Sequence, residues 1–135
     1  LKDTMQLSSF YDHKFLLGHS AMNINEGIPK FIVNNLEKKI NLKRKTVGLL
    51  GLAFKSETDD IRDSLAIKLL KILKLKKIKT LQSDEYYKNK KNIDKRSLIK
   101  KSDIIIVCAP HKGYKNLKIR KSKLLIDIWG FFGKN

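Results

Sequence analysis

The segment richest in usable chemistry is GLAFKSETDDIRDS, from Gly51 to Ser64. Lys55 supplies a mobile point charge, and Arg62 a planar fork that matches phosphate or carboxylate. Gly48 and Gly51 permit tight turning and close backbone approach. A helix starting just after this loop would add N–H groups and the positive end of its dipole. Together these features describe a cradle for a pyrophosphate. The spacing fits neither GxGxxG nor a Walker motif. Lys55 and Arg62 could equally pair with Asp59, Asp60 or Asp63 in an ordinary loop, so on spacing alone both readings stand.

Other reactive residue types are sparse. His111 lies in APHKGY (Ala109–Tyr114), where it could meet a ligand or serve the structure. Cys108 sits in the apolar run IIIVCA and reads as an inert core thiol. It has no second cysteine to pair with, which suits a reducing cytoplasm. One Cys and three scattered His (His13, His19, His111) do not have the spacing of a metal site. No Ser–His–Asp order and no paired carboxylates appear beyond the solvated acidic run Glu57–Asp60.

These residues need a scaffold, and the apolar period supplies one. Leu17, Ala21, Ile24, Ile28, Phe31 or Ile32, Leu36 and Ile40 recur every three or four positions, which predicts a helix over 13–40. Asp12 is its candidate N-cap. Gly27 and Pro29 predict a kink, or a break with Pro29 opening a second helix. The period then changes. TVGLL (Thr46–Leu50) reads as a buried strand, Ile61–Leu75 as a helix capped by Ser64 or the acidic residues before it, and Lys77–Gln82 as a second strand. After a basic loop at Lys88–Asn92 come a short helix (Arg96–Lys101) and two more strands, Ile104–Cys108 and Leu124–Ile128. Alternating strands and helices predict one parallel α/β sheet with flanking helices, preceded by a long helix. Ligands of such sheets bind beyond the carboxyl ends of the strands. That directs attention to Gly51–Ser64, Ser83–Tyr87, Ala109–Tyr114 and Trp129–Gly133.

Composition narrows the class. The chain has 135 residues, 41% hydrophobic and 32% charged, which fits a globular domain. No apolar run approaches the roughly 20 residues of a membrane span, so no membrane partner is expected. The net charge of +17 raises a nucleic-acid reading. Against it, the cations are mostly lysines spread along solvated faces, with Arg44, Arg62, Arg96 and Arg120 the arginines. Arg-rich patches interleaved with aromatics are absent, and no nucleic-acid partner is expected. The charge would still steer anionic ligands toward the protein.

Five blocks carry a resemblance: KDTMQL (Lys2–Leu7), NEGIP (Asn25–Pro29), GLAFKSETDDIRDS (Gly51–Ser64), SDEYY (Ser83–Tyr87) and APHKGY (Ala109–Tyr114). In this order they resemble the nucleotide-sugar dehydrogenases, the family of UDP-glucose 6-dehydrogenase and UDP-N-acetylmannosamine dehydrogenase. The resemblance implies oxidation of a sugar C6 alcohol to a carboxylate with two NAD molecules in succession. It also implies an N-terminal NAD-binding domain, a central dimerisation helix and a C-terminal Rossmann-like domain for the UDP-sugar. On that scheme residues 1–44 hold the end of the catalytic segment and the central helix, and residues 45–135 form the nucleotide-sugar domain. The 13–40 helix would then make a homodimer.

By the same resemblance, Phe54 and Lys55 contact the nucleotide sugar, and Lys2 and Arg62 lie against NAD. Asp3 assists catalysis, four residues after the family's nucleophilic cysteine. That cysteine would stand two residues before Leu1, preceded by the NAD-binding domain. Cys108 matches no catalytic position. The chain is thus expected to be inactive alone, as part of a larger enzyme. The alternative is a stand-alone module that binds a nucleotide sugar without chemistry. This sequence departs from the family at Asp84-Glu85, where Asp-Pro is common. It departs again at Arg62-Asp63-Ser64-Leu65 in place of RxSP, and at Asp127-Ile128-Trp129 in place of Asp-Gly-Arg. The last change leaves the sugar unassigned.

Overall fold

The computed structural model describes residues 2–10 and 15–133. Four strands make one parallel sheet: β1 (Thr46–Leu50), β2 (Lys79–Ser83), β3 (Ile104–Val107) and β4 (Leu124–Asp127), in the order β2-β1-β3-β4. Thr46 pairs with Lys79, Val47 with Ile104, and Ile104 with Leu124. The helices are α1 (Lys2–Phe10), α2 (Leu16–Lys39), α3 (Leu65–Leu75) and α4 (Lys95–Lys101). The expected α/β architecture, with a long helix ahead of a Rossmann-like sheet, is what the chain adopts. None of the described helices is long and apolar enough to cross a membrane.

Both faces of the sheet are covered at its centre, which is why β1 and β3 read as unbroken apolar runs. Val47, Leu49, Ile104 and Ile106 point toward α2 and α3, where they join Val33, Leu36, Leu69 and Leu73. Leu50 and Ile105 point the other way, toward Leu98, Ile99 and Tyr114. Each such fully buried aliphatic side chain contributes about 1.5–3 kcal/mol. Gly48 is required here, because a Cβ would lie 2.3 Å from Ser102 Oγ and 2.6 Å from a Leu98 methyl. The missing side chain lets α4 sit close on β1.

The helix boundaries correct several expectations. α2 does not break at Pro29 but runs through it, and Pro29 is buried within the helix. Pro29 withholds one N–H from the helix ladder, and the half of α2 beyond it is held by Val33 and Leu36 packed into the core. The Asp12 cap and His13 lie outside the described residues, and Phe15 occupies the N-cap position of α2. α3 begins at Leu65, not Ile61. Asp63 just before it has φ +56, outside helical space, so the helix cannot start until Ser64 has capped it. The α2 stripe is also divided. Ile32 and Leu36 face the core, whereas Leu17, Ile24 and Phe31 are exposed. The helix α1 was not expected at all.

Candidate functional site

The carboxyl ends of β1 and β3 form the point where the strand order reverses, the usual place for a ligand in such sheets. There Gly51 takes φ +82, and a Cβ would lie 2.5 Å from the Ala109 carbonyl oxygen. Only glycine satisfies both the backbone angle and the closeness. The loop leaves β1 at Gly51 and closes on itself when the Phe54 N–H donates to Asp60 O at 2.8 Å. It ends at Ser64. The Ser64 hydroxyl accepts from the N–H groups of Ala66 (3.2 Å) and Ile67 (3.4 Å), and donates to Leu52 O at 2.6 Å. One buried hydroxyl therefore caps α3 and fastens the start of the loop. The first-turn N–H groups that the sequence reading offered to a ligand are in part already taken by this cap.

A second anchor comes from Asp84, just beyond β2. Its Oδ2 accepts from the N–H groups of Leu52 and Ala53, and its Oδ1 from those of Tyr86 and Tyr87, both at 2.8 Å. His111 Nε2 lies 3.3 Å from Oδ2. His111 Nδ1 accepts the N–H of Glu57 at 3.0 Å, so the ring proton sits on Nε2 and is donated to Asp84. Burial opposes the Asp84 charge, but the hydrogen bonds from His111, Leu52, Tyr87 and Tyr86 outweigh it. They hold the carboxyl well below the usual carboxylate range. Glu57 extends the network: it accepts from the Lys112 N–H and the Tyr86 hydroxyl, both at 2.8 Å. Those bonds, the Lys112 one foremost, lower its carboxyl as well.

His111 is thus a buried structural residue between two loops. Its ring is fully enclosed and meets Tyr114 edge-on at 5.3 Å. Cys108 is also structural: burial pushes its thiol up to about 12, far from a reactive thiolate. Glu57 is not merely a solvated acid, as its place in the acidic run had suggested. Asp84 and Ser64 are the residues that position the loop. The sequence named Ser64 only as a cap, and Asp84 only within the SDEYY block, where Glu85 is the departure from the family wording. The available signal for Asp84 was its location, an acid at the carboxyl end of a strand beside a loop of unpaired N–H groups.

Phe54 and Lys55 stand together at the loop tip. Lys55 Nζ lies 5.5 Å from the Phe54 ring centroid, and Phe54 lines a cleft of about 430 Å³ between α2, α3 and the ends of β3 and β4. Arg62 is at the far end of the same loop. Its Nε and Nη2 donate to Asp60 at 2.9 and 2.8 Å, as the ordinary-loop reading anticipated. The side chain is 81% exposed, so the remaining guanidinium edge can still donate outward to a phosphate. Lys2 and Asp3 stand on a different element, in the first turn of α1, which packs on α2. Asp3 is exposed.

A doubly covered parallel sheet, a glycine-pinched switch point and a loop that presents a lysine there define a nucleotide-binding α/β domain. Residues 48–134 match the UDP binding domain of the UDP-glucose/GDP-mannose dehydrogenase family, and the chain belongs to that family. It is 28% identical over 137 residues to the UDP-N-acetyl-D-mannosamine dehydrogenase of Pyrococcus horikoshii, covering 93% of this chain and 32% of that enzyme. The fold is shared with the GDP-mannose dehydrogenase of Pseudomonas aeruginosa (TM-score 0.79, 24% identity, 98% of this chain and 36% of that one). It is shared too with a UDP-glucose dehydrogenase from Pyrobaculum islandicum (TM-score 0.78, 24% identity, 93% and 32%). The chain therefore spans about a third of the length of these relatives.

Proposed function

We propose that this chain is the nucleotide-sugar-binding part of an NAD-dependent dehydrogenase that oxidises the C6 alcohol of a UDP-sugar to a carboxylate. The observation that carries the reading is the Gly51–Ser64 loop, fixed by Ser64 and Asp84 at the switch point of a UDP-binding domain. Residues 45–135 form the nucleotide-sugar domain, and residues 1–44 the end of the catalytic segment with the dimerisation helix. Lys55 meets the diphosphate and Phe54 the adjoining part of the ligand. Asp3 assists the chemistry near the reacting carbon. Lys2 and the outward edge of Arg62 lie against NAD, so this chain touches that cofactor only at its rim. When bound, NAD supplies the hydride acceptor. A preceding NAD-binding domain with the nucleophilic cysteine completes the enzyme, and this chain alone does not turn over. A second copy packs on α2. The enzyme works in the reducing cytoplasm, which suits the unpaired Cys108.

The test is calorimetric titration of UDP-glucose and UDP-N-acetylmannosamine into the wild-type chain and Lys55→Ala. A charge-assisted contact of this kind is typically worth about 1.5–3 kcal/mol, so the variant should bind roughly 10- to 100-fold more weakly. Equal affinities would remove Lys55 from the phosphate site. NADH formation by the purified chain would overturn its assignment as one part of a larger enzyme.

A further inference from the structure

The cleft beside Phe54 has a lining unsuited to a diphosphate. Among the described residues that line it, none is a lysine or arginine. Lys55 is not one of them; it projects over the Phe54 ring at the mouth. Inside, the cleft offers two aromatic rings, Phe54 and Trp129, and a polar edge of Asn25, Glu26 and Asp63. Trp129 is 57% exposed, yet it is held in place: its Nε1–H donates to Cys108 O at 3.0 Å. With that donor used, the indole can meet a ligand only through its ring surface. An aromatic face carries negative potential and attracts the partly positive C–H groups of a stacked partner.

The polar edge adds a second constraint. Asp63 and Glu26, when ionised, only accept hydrogen bonds, and Glu26 Oε2 already accepts from Lys68 Nζ, which leaves Oε1 for a ligand. A group that fits must stack C–H bonds on a ring and present O–H donors at its margin, which describes a hexose. A pyrimidine base also stacks, but its carbonyl oxygens need donors. Among the lining side chains the Asn25 amide is the one strong donor left, since the Cys108 thiol is turned to Ile106 O at 3.8 Å.

We propose that Trp129 is the platform for the hexose of a nucleoside-diphosphate hexose, and that it determines which sugar is accepted. This rests on the reading that Lys55 holds the diphosphate. Trp129 is the chain's sole tryptophan, so its fluorescence reports on this site alone. UDP, UDP-glucose and UDP-N-acetylmannosamine are titrated while emission is followed, with calorimetry in parallel. At least one UDP-hexose should change the emission and bind about tenfold more tightly than UDP, whereas UDP leaves the emission unaltered. Trp129→Ala should lower the affinity for that UDP-hexose to the level of UDP. Trp129→Phe keeps a ring while losing the bond to Cys108, and should restore most of the preference. Equal binding of UDP and both UDP-hexoses, or a preference that survives Trp129→Ala, overturns the platform and leaves the diphosphate reading intact. No binding of any of the three ligands overturns both.

Discussion

Asp84 holds together loops that come from separate stretches of the chain. Its two oxygens accept the N–H groups of Leu52, Ala53, Tyr86 and Tyr87, and the side chain is shielded from solvent. Asp84→Asn keeps the shape but turns an NH2 group toward donors that need an acceptor. Hydrogen bonds to a buried charge are worth about 1.5–3 kcal/mol, so a loss of about 3 kcal/mol is expected at pH 7. The sign of the pH dependence follows from the lowered carboxyl. Its contribution is complete above the unfolded value of about 4, and fades as pH falls through the lower folded value. The gap between wild type and Asp84→Asn should therefore narrow below about pH 4. Urea unfolding at pH 7 and pH 3 measures it, and a gap that stays constant would show that the charge is not what matters. Asp84 also shows where reading residues one by one runs out. Four of its partners are backbone N–H groups, which have no signature in a sequence.

At the scale of elements, what was legible followed from periodicity. TVGLL and IIIVC announce strands because both sheet faces are buried at β1 and β3, LLIDI carries an apolar run on the half-buried edge strand β4, and LAIKLLKILKL announces α3. The less legible features have local causes. The residues of α1 are too few to display a helical period. Pro29 reads as a break, but tertiary packing carries α2 across it. The α3 boundary was set four residues too early because Ile61 continues the apolar spacing, whereas the backbone angle of Asp63 forbids helix there. Of the candidate site, the loop and its charged residues were visible, but the cleft was not. That cleft is made by α2, α3 and Trp129 meeting in space. Ser64 is the element-scale test. Loss of an N-cap costs about 0.5–2 kcal/mol, and Ser64→Ala should fall at the upper end because the bond to Leu52 O is lost as well. Chemical denaturation checks this, and a loss within experimental error would mean that the loop is held by Asp84 alone.

For the whole molecule, the exposed apolar residues decide its behaviour in solution. Phe10 is 82% exposed, Leu17 77%, Ile24 73% and Phe31 67%, on the two helices outside the sheet. Isolated domains rarely leave such surface in water, so light scattering should find a dimer or larger species. Ile24→Glu with Phe31→Glu should shift it toward monomer while circular dichroism stays unchanged. A wild-type monomer at high concentration would contradict the assembly proposed for α2. The strand order has a further effect, on the path by which the molecule forms. β1 is the first strand in sequence and central in the sheet, yet both of its neighbours are made later. Its inner ladder closes only when β3 arrives. Loop-closure entropy must be met before those distant pairings stabilise anything, so folding is slow for a chain of this size. Until then TVGLL, paired at most with β2, keeps one apolar edge open, the edge most available for association with other chains during folding.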